Sequence, residues 1–298
     1  MGSTRAETAG AVMIAASKFQ SYGNDYLVIP ESDLTRRRAA PLTRAICRRH
    51  FGIGGDGCVF VEPVKDDRFR IRIFNPDGSE AAMSGNGCRC AGAYVHHRGL
   101  SLKADLVLET LSGQKIHHLL DRGESSWRYR SSLGRPSFVP EEIPIRLEGE
   151  LSQVVDHSLP VENATVTVTA LSVGNPQCVV FVSNLPEDAE FRRLGPALEA
   201  HAAFPERTNV SFVQVTGPRR LQARIWERGV GPTHSSGTGC SGAAVAAIHT
   251  GRVGSPARVG TETGEQEVEW QPGAEVHLTG GVEFVGDVRY HWREHDGE

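Results

Sequence analysis

The fold is encoded most clearly in two short glycine-rich segments, Ser84-Gly85-Asn86-Gly87-Cys88 and Ser236-Gly237-Thr238-Gly239-Cys240. Each segment opens a run of small and apolar residues, 89–95 and 241–248, which predicts a buried helix. The two segments are 236 − 84 = 152 positions apart. Two turns of one kind, in two halves of one chain, predict a site built from a duplicated unit.

Three further pairs of segments repeat at nearly the same spacing and in the same order. They are 23–28 with 174–179, 51–62 with 204–215, and 74–78 with 226–230. A period this long indicates two homologous domains, because solenoid repeats run about 20–50 residues. We expect a disordered tail at 1–13, a first domain at 14–136 that also takes the C-terminal strand 284–298, and a second domain at 137–283.

The remaining pattern consists of many strands with one strongly apolar helix in each half. It predicts an α+β fold of two pseudo-symmetric domains, each a mixed β-sheet or barrel wrapped around a central helix. Helical spacing also predicts helices at 41–50, with Pro41 in the first turn, and at 187–203, interrupted at Gly195-Pro196.

Composition excludes several classes of protein. The net charge of −4 gives no basic surface for nucleic acid, and no apolar run is long enough to cross a membrane. The six cysteines follow neither a disulfide framework nor zinc-ligand spacing. We therefore expect a cytoplasmic protein with reduced thiols and no metal.

The two glycine-rich turns suit chemistry on an anion. The first N–H groups of a helix lack partners within the helix, and the helix dipole is positive there. Two such ends facing each other across a domain cleft would hold one carboxylate from both sides. The residue at the head of each helix would then lie on opposite faces of the adjacent carbon, as proton removal and return require.

At these residues the chain resembles diaminopimelate epimerase, a family of cofactor-independent amino-acid racemases and epimerases. The resemblance extends from about residue 17 onward. Its motifs are Gly23-Asn24-Asp25, Asn75-x-Asp77-Gly78-Ser79-Glu80, Gly85-Asn86-Gly87-x-Arg89-Cys90, Gly174-Asn175-Pro176, Arg207-x-Asn209-Val210, Glu227-Arg228-Gly229-x-Gly231 and Ser236-Gly237-Thr238-Gly239.

The resemblance implies a role for each matching residue. Ser84 and Ser236 occupy the two acid/base positions. Substrate carboxylates and amines would be contacted by Asn24, Asn75, Asn175, Asn209 and Arg228, with Glu227 as acceptor for an ammonium group. Backbone donors to the reacting carboxylate would come from Gly85, Asn86, Gly237 and Thr238.

Four positions depart from the family pattern. The family has its catalytic cysteines where this chain has Ser84 and Ser236, while Pro232 replaces a frequent Glu and Gln177 a common His. A hydroxyl is a far weaker acid than a thiol, whose pKa is about 8.5. Cys88 and Cys240 lie one helical turn further on, where buried packing is the favoured interpretation.

The resemblance implies pyridoxal-phosphate-independent conversion of LL- to meso-diaminopimelate by two-base proton transfer, in the pathway to lysine and peptidoglycan. Serines polarised by neighbours such as His234 or Asp77 are one explanation of the departures. A same-fold isomerase or dehydratase, an amino-acid-binding pseudoenzyme, and replacement of both thiols by design are the alternatives. The expected partner is a small amino acid, with assembly as a homodimer.

Overall fold

The computed structural model describes residues 12–149 and 151–293, and the architecture is α+β. The helices are α1 (Asp33–Ile46), α2 (Gly85–His97), α3 (Asp188–Glu199) and α4 (Gly237–His249). The strands are β1 (Val12–Ser21), β2 (Asn24–Pro30), β3 (Gly57–Pro63), β4 (Arg68–Phe74), β5 (Glu80–Ala81), β6 (Asp105–Thr110), β7 (Gly113–Arg122), β8 (Ser126–Ser132), β9 (Val154–Val161), β10 (Ala164–Ser172), β11 (Pro176–Phe181), β12 (Asn209–Gly217), β13 (Arg220–Glu227), β14 (Gly231–Thr233), β15 (Ala257–Thr261), β16 (Gly264–Glu269) and β17 (His277–Trp292).

The chain divides into two compact units. Unit 1 comprises the chain up to His117, the segment Arg122–Trp127 and the chain from Val282 onward. Unit 2 comprises His118–Asp121 and Arg128–Gly281. The sequence placed this division at 136/137, beside a segment rich in Pro and Gly. Of the predicted tail, residues 1–11 lie outside the described residues, and Val12 and Met13 begin β1.

In unit 1, β1 pairs antiparallel with both β2 and the C-terminal part of β17. β2 is parallel to β3, β3 is antiparallel to β4, and β4 is parallel to β6 and antiparallel to the short β5. Helix α2 contacts β1, β2, β3, β4 and β6, so that one helix serves as the centre for these strands. Helix α1 packs separately on β3 and β4.

Unit 2 repeats this order. β9, β10 and β11 are antiparallel neighbours, β11 is parallel to β12, β12 is antiparallel to β13, and β13 is parallel to β15. Even the register repeats: Cys58 is opposite Phe74 and Val210 is opposite Trp226, and 210 − 58 and 226 − 74 are both 152. Helix α4 contacts β10, β11, β12, β13, β15 and β16. The duplicated, mixed-sheet fold predicted from the sequence is therefore confirmed.

The composition of α4 explains its central position. The run 243–247 (AAVAA) is completely buried, and a helix that is apolar on all sides must be covered on all sides. Small side chains also let the strands approach closely. A Cβ on Gly239 would lie 2.9 Å from Cγ2 of Ile225, and one on Gly242 would lie 2.9 Å from Cγ of Gln177.

Helix α1 begins eight residues earlier than the sequence indicated. Ser32 is its N-cap and forms a capping box with Thr35, so the capping residues rather than Pro41 set its start. Pro41 lies inside the helix, and the chain bends just before it, where Arg38 leaves helical geometry at φ −119° and ψ 16°. The predicted continuation from 47 to 50 was wrong.

Helix α3 runs through Pro196, and the predicted interruption at Gly195-Pro196 was wrong. Gly195 lies against the indole of Trp226, where a Cβ would be 2.6 Å from Cε3. Close packing on β13 therefore holds this turn helical despite the proline. Every helix in the described part of the chain falls short of the length and apolar character that a membrane crossing needs.

Candidate active site

The heads of α2 and α4 have the same geometry. Ser84 is the N-cap of α2 at φ −138° and ψ 124°, and Ser236 is the N-cap of α4 at φ −137° and ψ 125°. The Oγ of Ser84 accepts from the Gly87 N–H at 3.1 Å, and that of Ser236 accepts from the Gly239 N–H at 3.1 Å. Each unit thus has a serine-capped helix start whose other early N–H groups have no partner within the helix.

In unit 1, the Ser84 hydroxyl has a second partner. The Oη of Tyr26 lies 2.9 Å from Ser84 Oγ, and Tyr26 is only 7% exposed. Its ring packs over Gly57 on the neighbouring strand, where a Cβ would lie 3.0 Å from Cε1. Sequence reasoning missed Tyr26. The available signal was its spacing from Asn24, because residues i and i+2 of a strand share one face.

The structure brings Asn24 and Asn86 together. Asn86 Nδ2 donates to Asn24 Oδ1 at 3.1 Å, and Asn24 Nδ2 donates to Asp56 Oδ2 at 2.8 Å. The fully buried Arg89 donates to Asn86 Oδ1 and to Ser21 Oγ. This network connects the first turn of α2 to the hairpin between β1 and β2.

Asn75 lies apart from this network, in the exposed turn after β4. Its Nδ2 donates to Ser79 Oγ at 3.0 Å, and Ser79 donates to Asp77 from both its amide and its hydroxyl. These hydrogen bonds from Ser79 lower the pKa of Asp77. Asp77 therefore acts on its own turn, and its hydrogen bonds do not go to Ser84.

In unit 2, the hydroxyl of Ser236 is the polar group that lowers the pKa of the Glu227 carboxyl. Burial raises the pKa of Glu227, and the Ser236 hydroxyl opposes the rise. Ser236 itself is 3% exposed. The neighbour suggested by the sequence, His234, is exposed and bonds through Nδ1 to Glu262 at 2.9 Å. The group that acts on Ser236 is Glu227, which the sequence singled out for a different contact.

Two other candidate residues meet at the first turn of α4. Asn175 Nδ2 lies 3.4 Å from Thr238 Oγ1, and Gln177 Nε2 donates to Asn175 Oδ1 at 2.7 Å. Gln177 is buried, and its Oε1 accepts no hydrogen bond within the described chain. The side chain that replaces a common family histidine is thus directed to Asn175.

Asn209 and Arg228 also lie together. Asn209 Oδ1 accepts from the backbone N–H of Arg228 at 2.8 Å, and the Arg228 guanidinium donates to the Glu206 carbonyl at 3.1 Å. Arg228 is exposed and has no carboxylate partner among the described residues. Its charge is therefore available to a ligand.

Glu199 supports the segment that carries Glu227 and Arg228. Its carboxylate accepts from Trp226 Nε1 at 2.7 Å and from the Gly229 N–H at 2.8 Å. Burial alone would raise the pKa of Glu199, but these hydrogen bonds and the Arg207 charge lower it. Sequence reasoning missed this role of Glu199, because the contact joins α3 to β13 and no local pattern indicates it.

Cys88 and Cys240 lie in the protein interior. Both are at most 1% exposed, and burial raises the pKa of Cys88 to about 11. These buried thiols are packing groups, in agreement with the interpretation favoured from the sequence. Within the described residues, no three His, Cys, Asp or Glu side chains are grouped to hold a metal ion.

Comparison with known proteins places this geometry in a family. A family model described as diaminopimelate epimerase matches residues 17–139 and 169–285. The diaminopimelate epimerase of Pelotomaculum thermopropionicum is 38% identical, with 93% of this chain and 99% of the relative covered. That of Desulforudis audaxviator is 41% identical, with 92% and 98% covered.

Solved structures with low sequence identity share the fold. A probable proline racemase from Agrobacterium radiobacter K84 has a TM-score of 0.66 at 18% identity, with 92% of each chain covered. A hydroxyproline epimerase from Agrobacterium vitis has a TM-score of 0.65 at 18% identity, with 96% of this chain and 94% of that chain covered. The family match and the relatives together show that the chain belongs to the diaminopimelate epimerase family.

Proposed function

We propose that this protein is an epimerase that converts LL-diaminopimelate to meso-diaminopimelate without pyridoxal phosphate. The observation that carries the proposal is the pair of serine-capped helix heads with matching backbone angles. The Ser236 hydroxyl also lowers the pKa of the Glu227 carboxyl. Family membership supports the same reaction, because the relatives at 37–41% identity are named diaminopimelate epimerases.

The helix heads supply the means to hold the reacting carboxylate. Gly85 and Asn86 in unit 1, and Gly237 and Thr238 in unit 2, provide backbone N–H groups where the helix dipoles are positive. Beyond its chain neighbours and its own helix backbone, the nearest described atom to a Cβ on Gly85 would be Nη1 of Arg89 at 4.0 Å, so a ligand has room beside this backbone. Donors on the carboxylate also stabilise the negative charge that develops when the α-proton leaves.

Ser84 and Ser236 are the two proton-transfer groups of the proposal. When Ser236 acts as the base, its Oγ takes the α-proton while its own proton passes to Glu227. When Ser84 acts as the acid, its O–H returns a proton to the opposite face of the carbon. In the reverse direction the two serines exchange roles. Glu227 thereby compensates for the weak acidity of a hydroxyl relative to a thiol.

The distal end of the substrate is a second zwitterion. The exposed guanidinium of Arg228 can bind the distal carboxylate bidentately, and Asn209 fixes the backbone of Arg228. A carboxylate has about four acceptor sites, so Glu227 can hold Ser236 and still accept from an ammonium group. Asn24, Asn75 and Asn175 remain proposed contacts to substrate. Assembly as a homodimer and a cytoplasmic location remain predictions from the sequence.

Incubation of the purified protein with LL-diaminopimelate in deuterated water tests the proposal. We expect meso-diaminopimelate with one deuterium at the inverted α-carbon, and loss of this product in Ser84→Ala and Ser236→Ala. Binding without exchange or inversion would favour an amino-acid-binding protein. Release of ammonia or water would favour an isomerase or dehydratase on the same fold.

A further inference from the structure

We propose that Tyr26 is the positioning residue that makes Ser84 a proton donor, so that the two serines are polarised in opposite directions. The inference deepens the proposed function and rests on it. The observation that carries it is the 2.9 Å contact between Tyr26 Oη and Ser84 Oγ, beside the 3.1 Å hydrogen bond from the Gly87 N–H. Tyr26 does not touch the substrate in this assignment and acts through Ser84.

The direction of the Tyr26–Ser84 hydrogen bond follows from acidity. A phenol, with a pKa of about 10, is a much stronger acid than an aliphatic alcohol, so Tyr26 is the better donor of the two. The Ser84 oxygen has two lone pairs and one proton. With Tyr26 and the Gly87 amide both donating, the lone pairs are occupied, and the free group on Ser84 is its O–H.

Ser236 has the opposite arrangement. Its oxygen accepts from the Gly239 N–H at 3.1 Å, as Ser84 accepts from Gly87. We assign its O–H to the Glu227 carboxylate, whose pKa the Ser236 hydroxyl lowers. One lone pair of Ser236 therefore remains for an incoming proton. Identical turns in the two units thus present an acid in one and a base in the other.

The difference arises from two strands that occupy matching places in the units. Tyr26 is opposite Gly57 on β3, and its counterpart Gln177 is opposite Asn209 on β12. The Nε2 of Gln177 donates to Asn175, whereas Tyr26 lies against the helix cap. A hydroxyl partner therefore reaches the cap in unit 1, and a carboxylate partner reaches it in unit 2.

Every proton that moves during one inversion of the α-carbon has a donor and an acceptor. The α-carbon loses its proton to Ser236 Oγ, whose own proton moves to Glu227 and gives a carboxylic acid. Ser84 gives its O–H proton to the other face of the carbon and receives the Tyr26 proton, which leaves a phenolate. Proton exchange with solvent then returns Tyr26 to the phenol and Glu227 to the carboxylate.

Replacement of Tyr26 by Phe removes only the hydroxyl. We expect kcat to fall on the order of 10²-fold with little change in KM, because the lost contribution is to proton transfer and not to binding. Tyr94→Phe is the matched control: Tyr94 is on α2 but near its C-terminal end, where Arg98 lies over its ring. A Tyr26→Phe enzyme as active as Tyr94→Phe would overturn the inference.

A second measurement does not depend on turnover. In Ser84→Cys, the pH dependence of iodoacetamide alkylation reports the acidity of a thiol at the cap. A phenol that donates to this sulfur stabilises the thiolate, so adding Tyr26→Phe should raise the alkylation midpoint by about one pH unit. The six native cysteines are all buried, and the unsubstituted protein supplies the blank.

The two experiments separate the inference from the proposed function. A protein that does not invert diaminopimelate, yet shows the alkylation shift, would contradict the function and retain the role of Tyr26 at the cap. An unchanged alkylation midpoint in the double variant would overturn the role of Tyr26, whatever the protein does to diaminopimelate. Unchanged circular dichroism in Tyr26→Phe excludes unfolding as the cause of a loss.

Discussion

The side-chain amide of Asn86 donates to Oδ1 of Asn24 at 3.1 Å, which joins the first turn of α2 to the start of β2. Asn24 Nδ2 in turn donates a hydrogen bond to Asp56 Oδ2 at 2.8 Å. The Asn86 side chain is buried, with 5% of its surface exposed. Both asparagines were assigned to substrate from the family resemblance. Their mutual hydrogen bond gives them a second task, because it fixes the helix head on which Ser84 lies.

The first prediction concerns this connection. Asn24→Ala leaves Asn86 Nδ2 without its acceptor, and an unpaired buried polar group costs about 1–3 kcal/mol. We expect the denaturation midpoint to fall accordingly in guanidinium titrations. Asn75→Ala is the control, because Asn75 is exposed and bonds only within its own turn. A smaller loss of stability in Asn24→Ala than in Asn75→Ala would contradict the assignment.

The second prediction concerns Glu227. Because burial raises its pKa, the Glu227 carboxyl ionises at a higher pH than an ordinary glutamate, although Ser236 opposes the rise. We expect kcat/KM to rise with pH through this raised pKa, and Glu227→Gln to lose that limb together with about 10²-fold in kcat. A Glu227→Gln variant with the same pH profile as the unsubstituted enzyme would contradict the proposed role of Glu227 in proton transfer.

The same pKa shift has a consequence for stability. A carboxyl group whose pKa is higher in the folded than in the unfolded protein binds protons more tightly when folded. The ionised Glu227 therefore lowers the free energy of unfolding as pH rises through that interval. We expect Glu227→Gln to be more stable than the unsubstituted protein at neutral pH, by denaturant titration, and to lose this advantage below the ordinary carboxyl range. Equal stability at neutral pH would contradict this account.

The third prediction concerns Glu199, whose pKa is shifted in the opposite direction. Its hydrogen bonds to Trp226 and Gly229 stabilise the fold at pH values above the ordinary carboxyl range, and this contribution is lost as pH falls through the lowered pKa. We expect Glu199→Gln to cost about 1–3 kcal/mol at neutral pH, because the NH₂ group of Gln would replace one acceptor oxygen and face a donor.

Loss of the Glu199 hydrogen bonds should also loosen the segment with Glu227 and Arg228. We expect KM to rise as well as stability to fall. Glu190→Gln is the matched control, because Glu190 lies on the same helix but is exposed. Calorimetry measures the stability of the two variants, and steady-state kinetics measures their KM. Equal KM values for Glu199→Gln and Glu190→Gln would show that Glu199 does not support the substrate-binding segment.

The sequence predicted those features that depend on local pattern. The glycine-rich turns, the small-residue helices after them and the repeat at 152 positions are all local or self-similar, and the structure confirms them. The contacts of Tyr26 with Ser84 and of Glu227 with Ser236 depend on how strands are registered against a helix head. The spacing of Tyr26 from Asn24 shows that the two residues share a strand face, but it does not show which helix head that face meets.

Two of the errors in the predicted helices have one physical origin. Both came from treating a proline as a boundary, at Pro41 and at Pro196. In α1, the capping box of Ser32 and Thr35 starts the helix upstream, and a bend accommodates the ring. In α3, the packing of Gly195 on Trp226 keeps the helix intact. Tertiary contacts outweighed the local preference of proline in each case.

The last prediction concerns the serines themselves. Ser84→Cys with Ser236→Cys places thiols at both helix heads, where a helix N-terminus lowers the pKa of a thiol from about 8.5 toward neutrality. If only the acid and base limit the rate, we expect epimerisation to increase by about 10²-fold or more. Deuterium incorporation into diaminopimelate measures the gain.

Cys88→Ala and Cys240→Ala are the controls for this double variant, because both native thiols are buried and one helical turn beyond the serines. They should change stability and leave the gain intact. A gain that disappears in Glu227→Gln would show that a thiol at position 236 still depends on the carboxylate. A double variant no faster than the unsubstituted protein would mean that the substrate pocket, and not the strength of the bases, limits turnover.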